Sequence, residues 1–285
     1  MPLSAAQTFV YIDDFAERVQ MRLDEPNVWK EVCEVQYSDI KNLHFPYVAD
    51  ITLQSNTRSS PYTFQALTET DETLEIAQVA IAPWFVSAAD KAQKSYADYM
   101  DLADHMTSQI DENIETFVWK QYSAWDVFDG ADIGGAAGSI TLSITNVGAV
   151  IRNLRKLILT AKGGTLLNKN GGFIVWKPAD FAVVEAFYQA NGFVSADDVL
   201  QNGVKIGFTR GGFTHYVSNF LAGGRGAAGV KKVLKVGILK STYGDLLVDA
   251  QDPGSLRGTG FRLAADYGVK TFNFAKSLLF DMALV

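Results

Sequence analysis

All 24 glycines of this 285-residue chain lie at Gly130 or beyond. Glycine is the residue that most readily takes positive φ and lets two backbones come close. The first 129 residues are therefore restricted to helices, extended segments and turns made without it, while the rest should consist of many short elements joined by tight turns. Charge divides at the same place. Residues 1–130 carry 22 acids and 8 bases, and residues 131–285 carry 10 acids and 17 bases, so the net charge of −7 resolves into −14 and +7. With 48% hydrophobic and 20% charged residues, the chain can bury a sizeable core as one large domain or two fused lobes. Wholesale disorder, a collagen-like repeat and a disulfide scaffold are excluded.

Cys33 is the only cysteine and has no intramolecular disulfide partner. No basic segment followed by an apolar run opens the sequence, so folding in a reducing cytoplasm is expected. The longest uncharged run, 133–151, holds four glycines and several Ser, Thr and Asn residues, too polar for a spanning helix. A soluble protein without a membrane partner is expected. No internal repeat of fixed period is visible.

Phe9, Ile12, Ala16, Val19 and Leu23 recur at helical spacing, with Ser4 and Gln7 as a capping box and Pro26 beyond the end, which predicts an amphipathic helix over 5–23. An irregular arm should follow to about residue 50. TFQALTE and ETLEIAQVAI, separated by Thr70-Asp71, read as two long strands folded back on each other, with Glu69, Asp71, Glu72 and Glu75 around the tip and only Arg58 as a nearby base. Ser87 and Asp90 suit a helix start, and Tyr99, Ala103, Met106, Ile110, Ile114 and Phe117 mark one stripe. That predicts a helix of about 30 residues, roughly 45 Å long, suited to serve as a spine.

After the Gly-rich stretch 130–138, Val147, Val150, Ile151, Leu154, Leu157, Ile158 and Ala161 predict a second amphipathic helix ended by Gly163 and Gly164. A strand over 173–177 and a helix over 179–190 led by Pro178 come next. KIGFTRGGFTHYV reads as a hairpin, and 233–239, 246–248 and 267–282 as β-prone segments. The fold class is α+β with a β-rich later portion.

Gly224-x-Gly226-x-x-Gly229, with Asp249 twenty residues on, mimics a dinucleotide-binding fingerprint. That chemistry needs a helix N-terminus after the glycines to meet the pyrophosphate, whereas VKKVLKVGILK reads as a strand, so the glycines are expected in a flexible loop. His44, His105 and His215 stand apart from one another and form no metal-ligand spacing, His105 being expected on the surface of the long helix. No nucleophile elbow occurs, and Cys33 has no activating neighbour in sequence. No enzyme activity, cofactor or metal is expected. Arg152, Arg155 and Lys156, and Lys231, Lys232 and Lys235, are short basic clusters in an acidic protein and do not predict tight unassisted binding of nucleic acid.

The order of these elements resembles the major capsid proteins of tailed bacteriophages, with the Hong Kong 97-type fold. The resemblance covers nearly the whole chain. Tyr62–Ala80 looks like that family's extended loop, and IAPWFVSAADKAQKSYADYMDLADHMTSQIDENIETFVWKQ resembles its spine helix. The helix at 146–162 with GGFIVWKPADFAVVEAFYQANG is similar to the start of the axial domain, and DYGVKTFNFAKSLLFDMAL to the final return strand. The resemblance implies an N-terminal arm at 1–49, an extended loop at 50–82, a peripheral domain with the spine helix at 83–139, an axial domain at 140–250, and return strands to the peripheral domain at 251–285.

It further implies self-assembly into hexamers and pentamers of an icosahedral virion capsid, assembled in the bacterial host cytoplasm around double-stranded DNA held weakly. A separate scaffolding protein, a portal protein and possible cement proteins are the implied partners. Some family members join subunits through a lysine in the extended loop; residues 42–90 contain no lysine, so that crosslink is not expected. Shells need contacts in which one surface complements a different one on the next subunit. The candidates for such contacts are Arg58, Phe64, Glu69, Asp71, Glu72, Glu75, Arg152, Arg155, Lys156, Lys231, Lys232 and Lys235. The alternatives are an encapsulin-type compartment of the same fold and a nucleotide-dependent oxidoreductase using Gly224, Gly226, Gly229 and Asp249.

Overall fold

A computed structural model describes residues 27–48, 64, 66, 69–87, 96–191, 208–241, 246–249 and 258–285. The helix expected over 5–23, the expected helix start at 88–95 and the candidate Arg58 lie outside these residues. Among the described residues, no helix is long and apolar enough to cross a membrane.

Strands from the two halves of the sequence interleave. In a five-stranded sheet, β1 (Glu34–Ser38) runs parallel to β10 (Lys235–Leu239), which is antiparallel to β12 (Gly258–Lys270). Along its opposite side β12 pairs with β4 (Gln78–Ser87) over ten positions, while β11 (Leu246–Asp249) extends the β10 side. A six-stranded sheet has the order β5 (Asp126–Phe128), β13 (Leu279–Ala283), β9 (Arg225–Val230), β6 (Gly172–Trp176), β8 (Phe213–Val217), β7 (Phe208–Arg210). The segment 267–282, expected as continuous return strands, is instead divided. Its first residues end β12 in one sheet, a 3₁₀ turn (Asn273–Leu278) follows, and β13 enters the other sheet beside β9.

The hairpin is also corrected. Glu69–Glu75 is one unbroken strand, β3, paired antiparallel with β2 (Asn42–Val48), part of the segment expected to be irregular. Asp71, placed by the sequence reading at the turn, lies opposite Pro46 in mid-ladder. The physical reason is that Thr70-Asp71 lacks the glycine that tight hairpin turns favour, whereas Leu74 and Ile76 alternate into a buried cluster with Leu239 and keep the chain extended.

Among the described residues, five helices accompany the sheets: α1 (Trp29–Val32), α2 (Tyr96–Trp119), α3 (Val147–Thr160), α4 (Gly164–Asn170) and α5 (Pro178–Ala190). The 24 residues of α2 extend over roughly 36 Å. Its described side chains bury the predicted stripe at Met106, Ile110 and Ile114 and continue through Val118, against the face of the five-stranded sheet where Phe117 meets Tyr267 edge-on at 5.5 Å. In α3, Val147, Val150, Ile151, Leu154 and Ile158 are buried as the spacing predicts. The KIGFTRGGFTHYV hairpin forms as β7–β8, with Gly211 and Gly212 at φ 64° and 89°, the pair of positive angles that a two-residue turn between twisted strands requires.

The Gly224–Gly229 segment is neither a phosphate-binding loop nor a flexible one. It passes into β9, between β13 and β6, and a Cβ on Gly226 would lie 2.5 Å from Met282 Cε. These glycines let strands and side chains pack closely, which removes the nucleotide reading together with the helix N-terminus it needed.

Candidate assembly surfaces

Side-chain alternation divides β3 into two faces. Glu69, Asp71 and Glu75 point outward and are exposed, while Glu72 and Leu74 point inward and are buried. Glu72 is thus not a tip residue: both carboxylate oxygens accept the backbone N–H of Asn273, at 3.2 and 3.1 Å. On the outer face Asp71 pairs with His44 at 2.5 Å. Phe64 is 88% exposed, the most open of the large hydrophobic side chains among the described residues.

The two basic clusters have different fates. Arg152, Arg155 and Lys156 are all exposed on the outer side of α3, and none forms an ion pair among the described residues. Leu159 extends this face, half exposed. The second cluster is largely engaged within the chain. Lys235 pairs with Glu34 at 3.2 Å across the parallel β1–β10 ladder and lies 4.6 Å from the centre of the Phe45 ring. Lys231 donates to the Tyr216 hydroxyl at 2.7 Å, and that hydroxyl donates to Glu31 at 2.7 Å. Burial lowers the Lys231 pKa, opposed by the Glu31 charge, and raises that of Tyr216. Lys232 alone of the three remains exposed, at φ 61°. Part of the opposition between the −14 and +7 segments is therefore satisfied inside one subunit.

Sequence reasoning missed a carboxylate joint on α2. Asp111 accepts from Asn27 Nδ2 at 3.1 Å and from Lys30 Nζ at 2.5 Å. One turn on, Glu115 accepts from the backbone N–H of Val28, from Trp119 Nε1 at 3.0 Å and from Ser218 Oγ at 2.6 Å. These two buried acids tie the segment entering α1, the long helix and the loop after β8 together. Burial first, and the charge of Glu115 second, push the Cys33 thiol pKa far up, leaving it unreactive. The i, i+4 spacing of Asp111 and Glu115 was legible, but nothing local distinguishes a buried pair from a solvated helix face. Among the described residues no three His, Cys, Asp or Glu side chains are grouped to hold a metal ion.

His215, isolated in sequence, is completely buried. Its Nδ1 accepts the Trp176 indole N–H at 3.0 Å, and its Nε2 lies 3.2 Å from the Tyr188 hydroxyl and 3.4 Å from the Arg210 carbonyl oxygen. The Phe208 ring stacks on it at 4.8 Å. Burial depresses the His215 pKa to about 4, the Arg210 carbonyl partly opposing.

No family model matches the sequence, and no curated protein matches it. Solved structures do match, along almost the entire chain. A chain from Mycobacterium phage Che8 superposes with a TM-score of 0.67 at 15% identity, over 95% of this chain and 97% of that one. The capsid of Ralstonia phage GP4 gives 0.66 at 10% identity, over 100% and 98%. The capsid structure of cyanophage P-SCSP1u gives 0.60 at 13% identity, over 97% and 93%. The class of architecture defined here is that of phage capsid chains. More specifically, the chain has the α+β fold of tailed-phage major capsid proteins, the Hong Kong 97 type, as its element order implied.

Proposed function

We propose that this protein is the major capsid protein of a tailed bacteriophage, a structural rather than catalytic chain that assembles into hexamers and pentamers of an icosahedral shell around double-stranded DNA. The observation that carries this reading is likeness to phage capsid structures over 97 to 100% of the chain, rather than over one lobe. Its location would be the virion capsid, after assembly in the host cytoplasm with the help of scaffolding and portal proteins, and cement proteins where present.

The subunit surfaces support a head-to-tail contact, in which unlike patches meet and rings close. The outer face of β3 offers Glu69, Asp71 and Glu75; the outer face of α3 offers Arg152, Arg155 and Lys156, which have no ion-pair partner among the described residues. Glu69 and Asp71 stand two strand residues apart, roughly 6.7 Å, and Arg152 and Lys156 stand one helical turn apart, roughly 6 Å. The two rows are therefore opposite in sign and similar in spacing. Phe64, Lys232 and Leu159, all exposed, are further contact candidates, and Arg58 remains one on sequence grounds. An acidic shell protein also grips enclosed DNA weakly, which suits movement of the genome.

Electron microscopy of the purified full chain tests the reading. Closed shells several hundred Å across that contain nuclease-protected DNA when isolated from infected cells support it. Small uniform oligomers, or shells filled with a protein cargo instead of nucleic acid, overturn it.

A further inference from the structure

We infer that His215 is an acid-sensitive pin which, while neutral, holds α5 and the β7–β8 hairpin to the six-stranded sheet and, when protonated, releases that corner ahead of the rest of the fold.

The argument begins with hydrogen-bond chemistry. An indole N–H can only donate, so the 3.0 Å contact from Trp176 fixes His215 Nδ1 as an acceptor. The neutral ring then carries its proton on Nε2, where the Tyr188 hydroxyl and the Arg210 carbonyl oxygen stand ready to accept it. A second proton has only Nδ1 to occupy. Placed there, it turns an acceptor into a donor facing another donor and puts a charge into an aromatic enclosure.

Topology makes this ring a junction. His215 lies opposite Ile174 of β6 on one side and Phe208 of β7 on the other. Trp176 belongs to β6 and Tyr188 to α5, so four elements meet through one imidazole. Among the described residues, the ionisable and charged residues in contact with it are Tyr188 from α5, whose pKa burial raises to about 12, and Arg210 from β7, whose carbonyl oxygen reaches the ring and whose charge acts on that phenol. Both stay in their usual protonation states across the acid range, leaving the imidazole as the group of this junction that changes. Because β7 is the last strand in the order of its sheet, the corner can open without breaking the strands beyond β8.

The test is hydrogen exchange followed by mass spectrometry on the full chain between pH 7 and pH 4, with rates corrected for the intrinsic pH dependence of exchange. Segments 178–191 and 208–217 are compared with 106–119 of α2. A histidine of ordinary pKa 6.5 when released and about 4 when enclosed makes the opening constant of the corner rise about tenfold per pH unit between these limits, over a hundredfold in all. The α2 segment should not follow. His215→Gln, which keeps an acceptor and a donor but does not titrate, should remove the slope. Should that variant fail to fold, NMR titration of the wild-type ring supplies the decision, with Nδ1 staying unprotonated down to about pH 4. A slope unchanged in His215→Gln, loss of protection in α2 at the same pH, or a ring titrating near 6.5 overturns the inference.

Discussion

Gly268 sits directly against the backbone of Glu75: a Cβ on Gly268 would stand 2.0 Å from the Glu75 carbonyl oxygen. Across the ladder, Gly237 is the partner of Gly268, and a Cβ there would stand 2.6 Å from Leu74 Cδ2. The glycine-free β2–β3 ribbon thus lies on a bare spot made by two paired glycines of the later half. Gly268→Ala should cost about 3 kcal/mol, because backbone must move. Gly237→Ala should cost less, since a leucine tip can turn aside. Urea unfolding of both variants checks the order, and equal losses would contradict it.

Glu115 receives three donors from three parts of the chain. Glu115→Ala leaves them buried without an acceptor, for a loss of about 3 to 5 kcal/mol. Glu115→Gln keeps one acceptor oxygen and should recover a good part of it. Denaturation midpoints of the two variants provide the comparison.

Stability against acid follows from His215. Its folded pKa is depressed from 6.5 to about 4, so the folded state favours the neutral ring. This contribution is complete above 6.5 and is lost as pH falls from there toward 4, about 3 kcal/mol in total. Chemical denaturation at pH 7 and pH 4.5 should show a larger drop for wild type than for His215→Gln.

Reversal of the α3 face, with Arg152→Glu, Arg155→Glu and Lys156→Glu together, should leave a folded chain that does not assemble, because all three side chains are exposed. Adding Glu69→Lys, Asp71→Lys and Glu75→Lys should restore assembly in part. Wild-type assembly should also weaken as salt rises from about 0.05 M to about 0.5 M, where the screening length falls to about 4 Å. Light scattering reads both. Assembly indifferent to the reversal would exclude these faces as the contact.

Gly212, at φ 89°, closes the β7–β8 turn. Gly212→Ala should destabilise by about 1 kcal/mol or more through backbone conformation alone, since a Cβ there meets nothing within 4 Å. Thermal denaturation measures it.

Elements with a strong local period were legible: the buried stripes of α2 and α3, the Pro-led start of α5, and the Gly-Gly hairpin. What failed was non-local. Whether Thr70-Asp71 turned or continued depended on Leu74 and Ile76 finding Leu239, more than 160 positions away in sequence. The segment 267–282 reads as one β-prone stretch, and only the pairing of β13 with β9 reveals that it changes sheets. The charge split was real in sequence, yet Glu34–Lys235 shows part of it satisfied in one subunit. Of the contact candidates, α3 kept its exposure because its helical period separates Arg152, Arg155 and Lys156 from the buried stripe. Lys231 and Lys235 did not, because their neighbours come from α1 and β1. His215 and Glu115 carried no local signal, since their partners lie on other elements.

The long β4–β12 pairing has a temporal meaning as well. A ribosome delivers Gln78–Ser87 well before Gly258–Lys270, so during synthesis β4 waits with Val79 and Ile81 on an unmated strand. Non-local pairing of this kind is slow, and an unmated strand invites pairing with another chain. Nascent copies on one messenger are thus exposed to mispairing with one another until the later strand arrives.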